Sequence, residues 1–174
     1  DAKGLLTTAI RDDDPTIFFE HKALYGLQGE VPEGDYLVPF GKARMVSEGT
    51  DCTLVATGRM VSFCEDAANS LAADGISCDI LDPRTTSPLD EDAILDSVEK
   101  TGRLIVVDET PPRCSFAADV AALAASEVFS SLKAPIKTVT GPHSPVPFAK
   151  ELETAFLPSP VKIKTVIEQT VKYS

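Results

Sequence analysis

The chain has 174 residues and a formal charge of −11, from 27 acidic against 16 basic side chains. That length holds one full domain and a piece of another, since domains commonly run to about 100–200 residues. The acidic balance argues against nucleic acid and anionic membrane surfaces as partners, because both demand basic side chains. No apolar run approaches the ~18–20 residues of a membrane span.

In chain order, Leu5, Leu6, Ala9 and Ile10 share one helical face, which Asp12-Asp13-Asp14-Pro15 ends. Thr16 to Glu20 (TIFFE) is predicted as a buried strand. A lone helix and strand cannot close a core, so residues 1–25 read as the tail of a preceding domain. The chain opens on Asp1 in what reads like the middle of something longer. Residues 26–35, rich in glycine with Pro32, read as a linker.

A regular alternation follows over 36–174. Ala43 to Ser47 is a candidate edge strand, and Thr53 to Ala56 a buried one. Val61, Cys64, Ala68 and Leu71 then recur at helical spacing, with Gly75 as the expected C-cap. Ile76, Cys78 and Ile80 alternate as a strand into Asp82-Pro83-Arg84, after which Ser87-Pro88-Leu89-Asp90 is expected to start a helix with Pro88 at its first position. Ile94, Leu95 and Val98 line that helix, which stops at Gly102. Leu104 to Val107 is the most apolar strand and emits Asp108-Glu109. Phe116, Val120, Leu123 and Val128 stripe an alanine-rich helix, and Ile136 to Thr140 is the last strand. Ala149 to Phe156 and Val161 to Lys172 are closing helices. Strands alternating with helices of ten or more residues mean a mainly parallel sheet covered on both faces. The expected fold is α/β, with five strands in three α/β/α layers.

Few residue patterns here point to chemistry. Thr57-Gly58-Arg59-Met60 joins a strand to a helix start that could hold a phosphate, but GxGxxG and Walker loops are lacking. Asp51, Asp82, Asp108 and Glu109 are expected to gather at one end of the sheet. Paired carboxylates can hold a divalent cation or move protons; Arg84 and Arg113 are available to pair with them, which favours ion pairs. His21 follows a strand end, and His143 lies in a proline-rich loop at 141–147. Neither shares ligand spacing with a cysteine or acid. Cys52, Cys64, Cys78 and Cys114 form no CxxC knuckle; three of them lie in apolar strand or helix patterns, and buried, reduced thiols are the expectation.

Taken together, FFEHKALYG at 18–26, VPFGKARMVSEGTDCTLVATGRMV at 38–61, DGISCDILDPRTTSPLD at 74–90, SVEKTGRLIVVDE at 97–109 and APIKTVTGPHSPVPFAKELETAFLPS at 134–159 resemble one family in register. It is the β subunit of the thiamine-diphosphate-dependent component of 2-oxo acid dehydrogenase complexes, nearest its acetoin and pyruvate members. The resemblance implies a transketolase C-terminal-like domain at 36–174, whose five-stranded mixed sheet has an antiparallel first strand. It implies that residues 1–25 end a pyrimidine-binding domain. The family's catalytic histidine and cofactor-contacting glutamate would precede Asp1, so no catalytic, cofactor-binding or metal residue is carried over.

Thiamine diphosphate and magnesium are implied for the holoenzyme, with none bound to this part alone. The implied partners are an α subunit in an α2β2 heterotetramer, a second β subunit and a dihydrolipoyl acyltransferase core. The implied location is the bacterial cytoplasm, or the mitochondrial matrix or plastid of a eukaryote. Asp82, Arg84, Glu109 and Arg113 are expected as interface or structural ion-pair residues, and the C-terminal helix near Tyr173 as contact surface. The rival expectations are a free-standing flavodoxin-like module binding a nucleotide or metal, and a fragment of another transketolase-superfamily enzyme.

Overall fold

In the computed structural model, which describes residues 1–173, the chain is built around β2 (Cys52–Ala56), buried along its whole length. Ser174, the last residue of the expected 36–174 domain, lies outside the described residues. β1 (Arg44–Ser47), β3 (Cys78–Asp82), β4 (Leu104–Val107) and β5 (Lys137–Val139) complete a five-stranded sheet in the order β1-β3-β2-β4-β5. β1 runs antiparallel to β3 at one edge, and the other neighbours are parallel.

Alternate side chains of the inner strands feed two separate cores. Cys52, Leu54, Ala56, Cys78, Ile80, Ile105 and Val107 meet α2 (Arg59–Asn69) and α6 (Pro160–Val171). Val55, Leu81, Leu104 and Val106 meet α3 (Glu91–Thr101) and α4 (Phe116–Glu127) on the opposite face. A strand buried on both faces has no polar positions to alternate, which is why β4 reads as an unbroken apolar run. α1 (Ala2–Arg11) and α5 (Lys150–Phe156) lie outside these layers.

One polar cluster sits inside the second core. Asp79 is fully buried on β3. Its carboxylate accepts from Gly49 N–H at 2.8 Å and Ser97 Oγ at 2.6 Å. Lys100 Nζ lies 2.7 and 2.6 Å from its two oxygens. Thr53 Oγ1 extends the cluster, at 2.8 Å from both Ser97 Oγ and Thr101 Oγ1. Gly49 must come close: a Cβ there would stand 2.3 Å from the Cys78 nitrogen. A buried carboxylate is tolerated because every lone pair is engaged.

Three local expectations are corrected. Thr16 to Glu20 forms no strand, and Ile17 and Phe19 are 81% and 89% exposed. Its β-forming residues pair with neither edge of the sheet. The helix after the Asp82 corner begins at Glu91, not at Pro88, and the Ser87–Pro88 peptide is cis. Tertiary bonds hold the corner instead, and one of them claims the capping candidate Asp90. The Asp90 carboxylate accepts from Ala43 N–H at 2.8 Å, and Thr85 Oγ1 joins Gly41 N–H to the Pro88 carbonyl. Gly75, at φ +77°, closes a short 3-10 turn at Ala72–Asp74 instead of capping α2, which ends at Asn69.

The opening segment is tied to the rest by polar contacts. Val38 N–H donates to the Gly4 carbonyl at 3.3 Å, and Thr8 Oγ1 to the Val38 carbonyl at 2.8 Å. Lys3 donates to the Pro32 and Gly34 carbonyls, and Arg11 pairs with Asp35 at 2.7 Å. α1 therefore rests on the 32–38 stretch.

Ser97→Ala removes the hydroxyl that links Asp79 to Thr53, and should cost about 1–3 kcal/mol. Urea unfolding should show a lower midpoint at unchanged slope; an unchanged midpoint would show that the cluster does not stabilise the sheet.

Candidate functional site

β2 is followed by a crossover to β3 on one side, and β3 by a crossover to β4 on the other. The chain therefore reverses its direction of travel at β2, and the crevice beyond the strands' C-terminal ends at such a reversal is where open α/β sheets usually take ligands. Here it is bordered by Thr57-Gly58 after β2 and Asp108-Glu109 after β4.

The crevice holds a residue of the chain's own opening segment. His21 Nε2 lies 2.9 Å from Glu109 Oε2, with both side chains 30% exposed. Ala23 N–H donates to His21 Nδ1 at 3.2 Å. An accepting Nδ1 leaves the ring proton on Nε2, where it points at the carboxylate. The ring also lies against Gly58, where a Cβ would come within 3.5 Å of His21 Cδ2. Gly58 has φ +56° and precedes α2, so the helix start expected as a candidate phosphate cradle carries the imidazole instead. Gly141, after β5, closes the far side: a Cβ there would meet the Glu109 carbonyl at 3.1 Å and the Phe156 ring at 2.8 Å.

The neighbouring acids are committed to loop geometry. Buried Asp108 accepts from Thr110 N–H at 3.0 Å, Thr110 Oγ1 at 2.6 Å and Ala117 N–H at 3.2 Å, which pins the β4–α4 loop. Asp82 accepts from Arg84 N–H at 3.0 Å. Burial pushes the Asp82 carboxyl above its usual range, against the opposing effects of that N–H and of the Arg84 and Arg44 charges.

Arg84 adopts φ +61°, and its guanidinium donates to the Lys42 carbonyl at 2.9 and 2.7 Å and pairs with Asp1 at 3.2 Å. Arg113 is exposed and forms no ion pair among the described residues. Tyr173, at the chain's end, is exposed. Asp51 does not join the other acids: it precedes β2 at the opposite end of the sheet, where its carboxylate accepts from Ser77 N–H and Oγ. Among the described residues no group of three or more His, Cys, Asp or Glu side chains is set to hold a metal ion.

Sequence reasoning weighed His21 and Glu109 separately and expected arginine partners for the acids. Their pairing spans 88 residues, and no local pattern carries a bond of that range. The one available signal was that each follows an apolar stretch.

The architecture and this edge define a class. The pattern described as the transketolase C-terminal domain matches residues 41–163, and the chain belongs to that family. Among curated relatives, it is 53% identical over 172 residues to the β subunit of the acetoin:2,6-dichlorophenolindophenol oxidoreductase of Cupriavidus necator, covering 99% of this chain and 51% of that one. It is 55% identical over 166 residues to the Bacillus subtilis subunit of the same name, covering 95% and 48%. It is 42% identical over 174 residues to the pyruvate dehydrogenase E1 component subunit beta of Rickettsia felis, covering 100% and 53%. The chain thus spans about half the length of the curated relatives it matches. A solved structure, a split-gene transketolase in an inactive β4 tetramer, superposes with a TM-score of 0.69 at 22% identity, over 83% of this chain and 46% of that one, and shares the fold.

His21→Gln and Glu109→Gln should each loosen the opening segment while leaving the sheet intact. For a half-exposed bond of this kind the loss is about 1 kcal/mol, or roughly fivefold faster amide exchange across residues 16–27. Exchange that stays at the wild-type rate there would show that the pair does not anchor the segment.

Proposed function

We propose that this chain is the C-terminal domain, preceded by the tail of a pyrimidine-binding domain, of the β subunit of a thiamine-diphosphate-dependent acetoin dehydrogenase. The holoenzyme would pass an acyl group from its substrate to lipoamide. The carrying observation is the 53% and 55% identity to acetoin oxidoreductase β subunits over 99% and 95% of the chain. Identity to pyruvate dehydrogenase β subunits is lower, at 42% and 46% in two examples. Similarity at this level across almost every residue also favours the subunit reading over a free-standing flavodoxin-like module.

The domain division, with 1–25 as the tail, 26–35 as linker and 36–174 as the C-terminal domain, is supported by where apolar surface is left open. Ile10, Ile17, Phe19, Tyr25, Leu27 and Val31 are all exposed in the first 31 residues. A further domain against this flank would cover them.

Thiamine diphosphate, when bound, supplies carbonyl-addition and acyl-carrying chemistry. The residues of this chain do not fit a diphosphate and magnesium site. Asp108 and Asp82 are taken up by their own loops, Glu109 by His21, and Gly58 by the His21 ring. In this reading the cofactor and metal are held by the α subunit and by the pyrimidine-binding domain. What this chain contributes is a rigid edge that holds the junction between the two domains. Asp82, Arg84, Glu109, Arg113 and Tyr173 serve as interface or structural ion-pair residues. Asp82, Arg84 and Glu109 brace the chain internally. Exposed Arg113 and Tyr173 are left for assembly with an α subunit and a second β subunit in α2β2 and with a basic binding segment of the acyltransferase core. The setting is the bacterial cytoplasm, or a mitochondrion or plastid in a eukaryote.

The test is co-expression of the full-length subunit with its α partner and assay of dichlorophenolindophenol reduction. Acetoin should be turned over with a kcat/KM at least about tenfold above that for pyruvate, a gap of ~1.4 kcal/mol in transition-state binding. The reverse preference would assign a 2-oxo acid dehydrogenase. A subunit that associates with no α partner would overturn the reading. Arg84→Ala should weaken heterotetramer formation on gel filtration, and full assembly would remove Arg84 from the interface.

A further inference from the structure

At the other end of the sheet, away from the crevice, two thiols face each other. Cys52 is the first residue of β2 and Cys78 the first of β3, and they are register partners on adjacent parallel strands. Their sulfurs are 3.4 Å apart. Adjacent strands lie about 4.8 Å apart, within the ~4.4–6.8 Å Cα spacing that a disulfide accepts. Closing to a disulfide length of about 2.05 Å requires the sulfurs to approach by about 1.3 Å.

The pair is roofed but close to the surface. Cys52 and Cys78 are 0% and 3% exposed. One residue outward, Asp51 and Ser77 are half-buried and close the end of the strands: Asp51 N–H donates to the Ser77 carbonyl at 3.0 Å, and Ser77 N–H to the Asp51 carboxylate at 2.8 Å. Both thiols are buried among the side chains of the core under α2 and α6, so an oxidant about the size of water reaches them through local opening, whereas a bulky disulfide reagent stays out.

Cys52 donates to Cys78; that bond first, and then burial, pushes the Cys52 thiol up. Cys78 accepts that bond, which lowers its thiol against the raising effects of burial and of the Asp51 and Asp79 charges, and its sulfur is assigned the first attack. Cys64, on α2, belongs to the same core, and burial pushes its thiol up as well. Cys114 is exposed on the β4–α4 loop at the opposite end and cannot reach either partner.

We propose that Cys52 and Cys78 form a peroxide-reactive dithiol that closes to an intrachain disulfide between the starts of β2 and β3. The Cys78 sulfur attacks one oxygen of hydrogen peroxide and the O–O bond breaks, giving a sulfenic acid and, with the Cys78 proton, one water. The Cys52 sulfur then attacks the Cys78 sulfur. The S–O bond breaks, and the hydroxide leaves as a second water with the Cys52 proton. Two thiols are oxidised and one peroxide is reduced to two waters. The new bond would tie down the segment between the two strands that carries α2.

The full-length subunit carrying Cys114→Ser tests this. It is treated with hydrogen peroxide, unfolded in an alkylating reagent, and mapped by peptide mass spectrometry. Most Cys52 should be recovered in a peptide joined to that of Cys78, lighter by a pair of hydrogens and released by dithiothreitol. Oxidised glutathione should give far less of that product at equal dose. Recovery of both cysteines as alkylated thiols, or as separate sulfinic acids, would overturn the proposal, as would a Cys64–Cys78 link. In Cys52→Ala the reaction should stop at a Cys78 sulfenic acid that dimedone traps. The wild-type peptide map decides the question if that variant does not fold.

Discussion

Asp79 is the constraint on which the sheet depends. A carboxylate with no exposure must have its oxygens engaged, and the partners come from everything around it: Gly49 from the turn between β1 and β2, Ser97 and Lys100 from α3, and Thr53 of β2 through Ser97. Removing any one leaves a buried group short of a partner, which costs more than the bond itself contributes. The apolar cores would accept α3 in more than one register. The Asp79 cluster holds it in one, and so fixes where the β3–α3 loop emerges at the far edge of the sheet, while the α3–β4 loop meets Thr53 and Asp51 at the near edge.

At that far edge the fold presents a ligand-type crevice and fills it with its own chain. His21 reaches between Gly58 and Glu109 from a segment that contributes no strand and no core side chain to the sheet. Asp108 holds the loop that carries Glu109, and Arg84 braces the neighbouring corner by donating to Lys42 and pairing with Asp1. The Glu109–His21 and Arg84–Asp1 contacts both lead back to the opening segment. The edge and the opening segment therefore meet in a joint of polar, partly exposed and directional contacts. The exposed apolar side chains between Ile10 and Val31 lie on the flank beyond that joint.

The elements themselves were legible because their signals are local. β4 at Leu104–Val107 agrees residue for residue with its apolar run, and β1, β2 and β3 agree to within two residues at either end. Gly102 ends α3 at φ +73° as its position implied. Failures came where a local rule met a distant partner. Ser87-Pro88 has the composition of a helix start, yet Asp90 is bound to Ala43, 47 residues away. TIFFE has the composition of a buried strand, but burial is a property of the neighbour as much as of the segment.

What the sequence determined by itself was the three-layer class, the order of strands and helices along the chain, and the lack of any phosphate-loop or metal-knuckle pattern. Those follow from periodicity and spacing, which local sterics and the hydrophobic effect translate directly into structure. Only the tertiary structure decided that Asp51 faces away from the other acids, that Glu109 answers to a histidine and not to Arg113, and that Cys52 and Cys78 stand side by side. Each of these depends on which strands become neighbours, and strand order in a crossover sheet is set by long-range packing that leaves no mark at any single position.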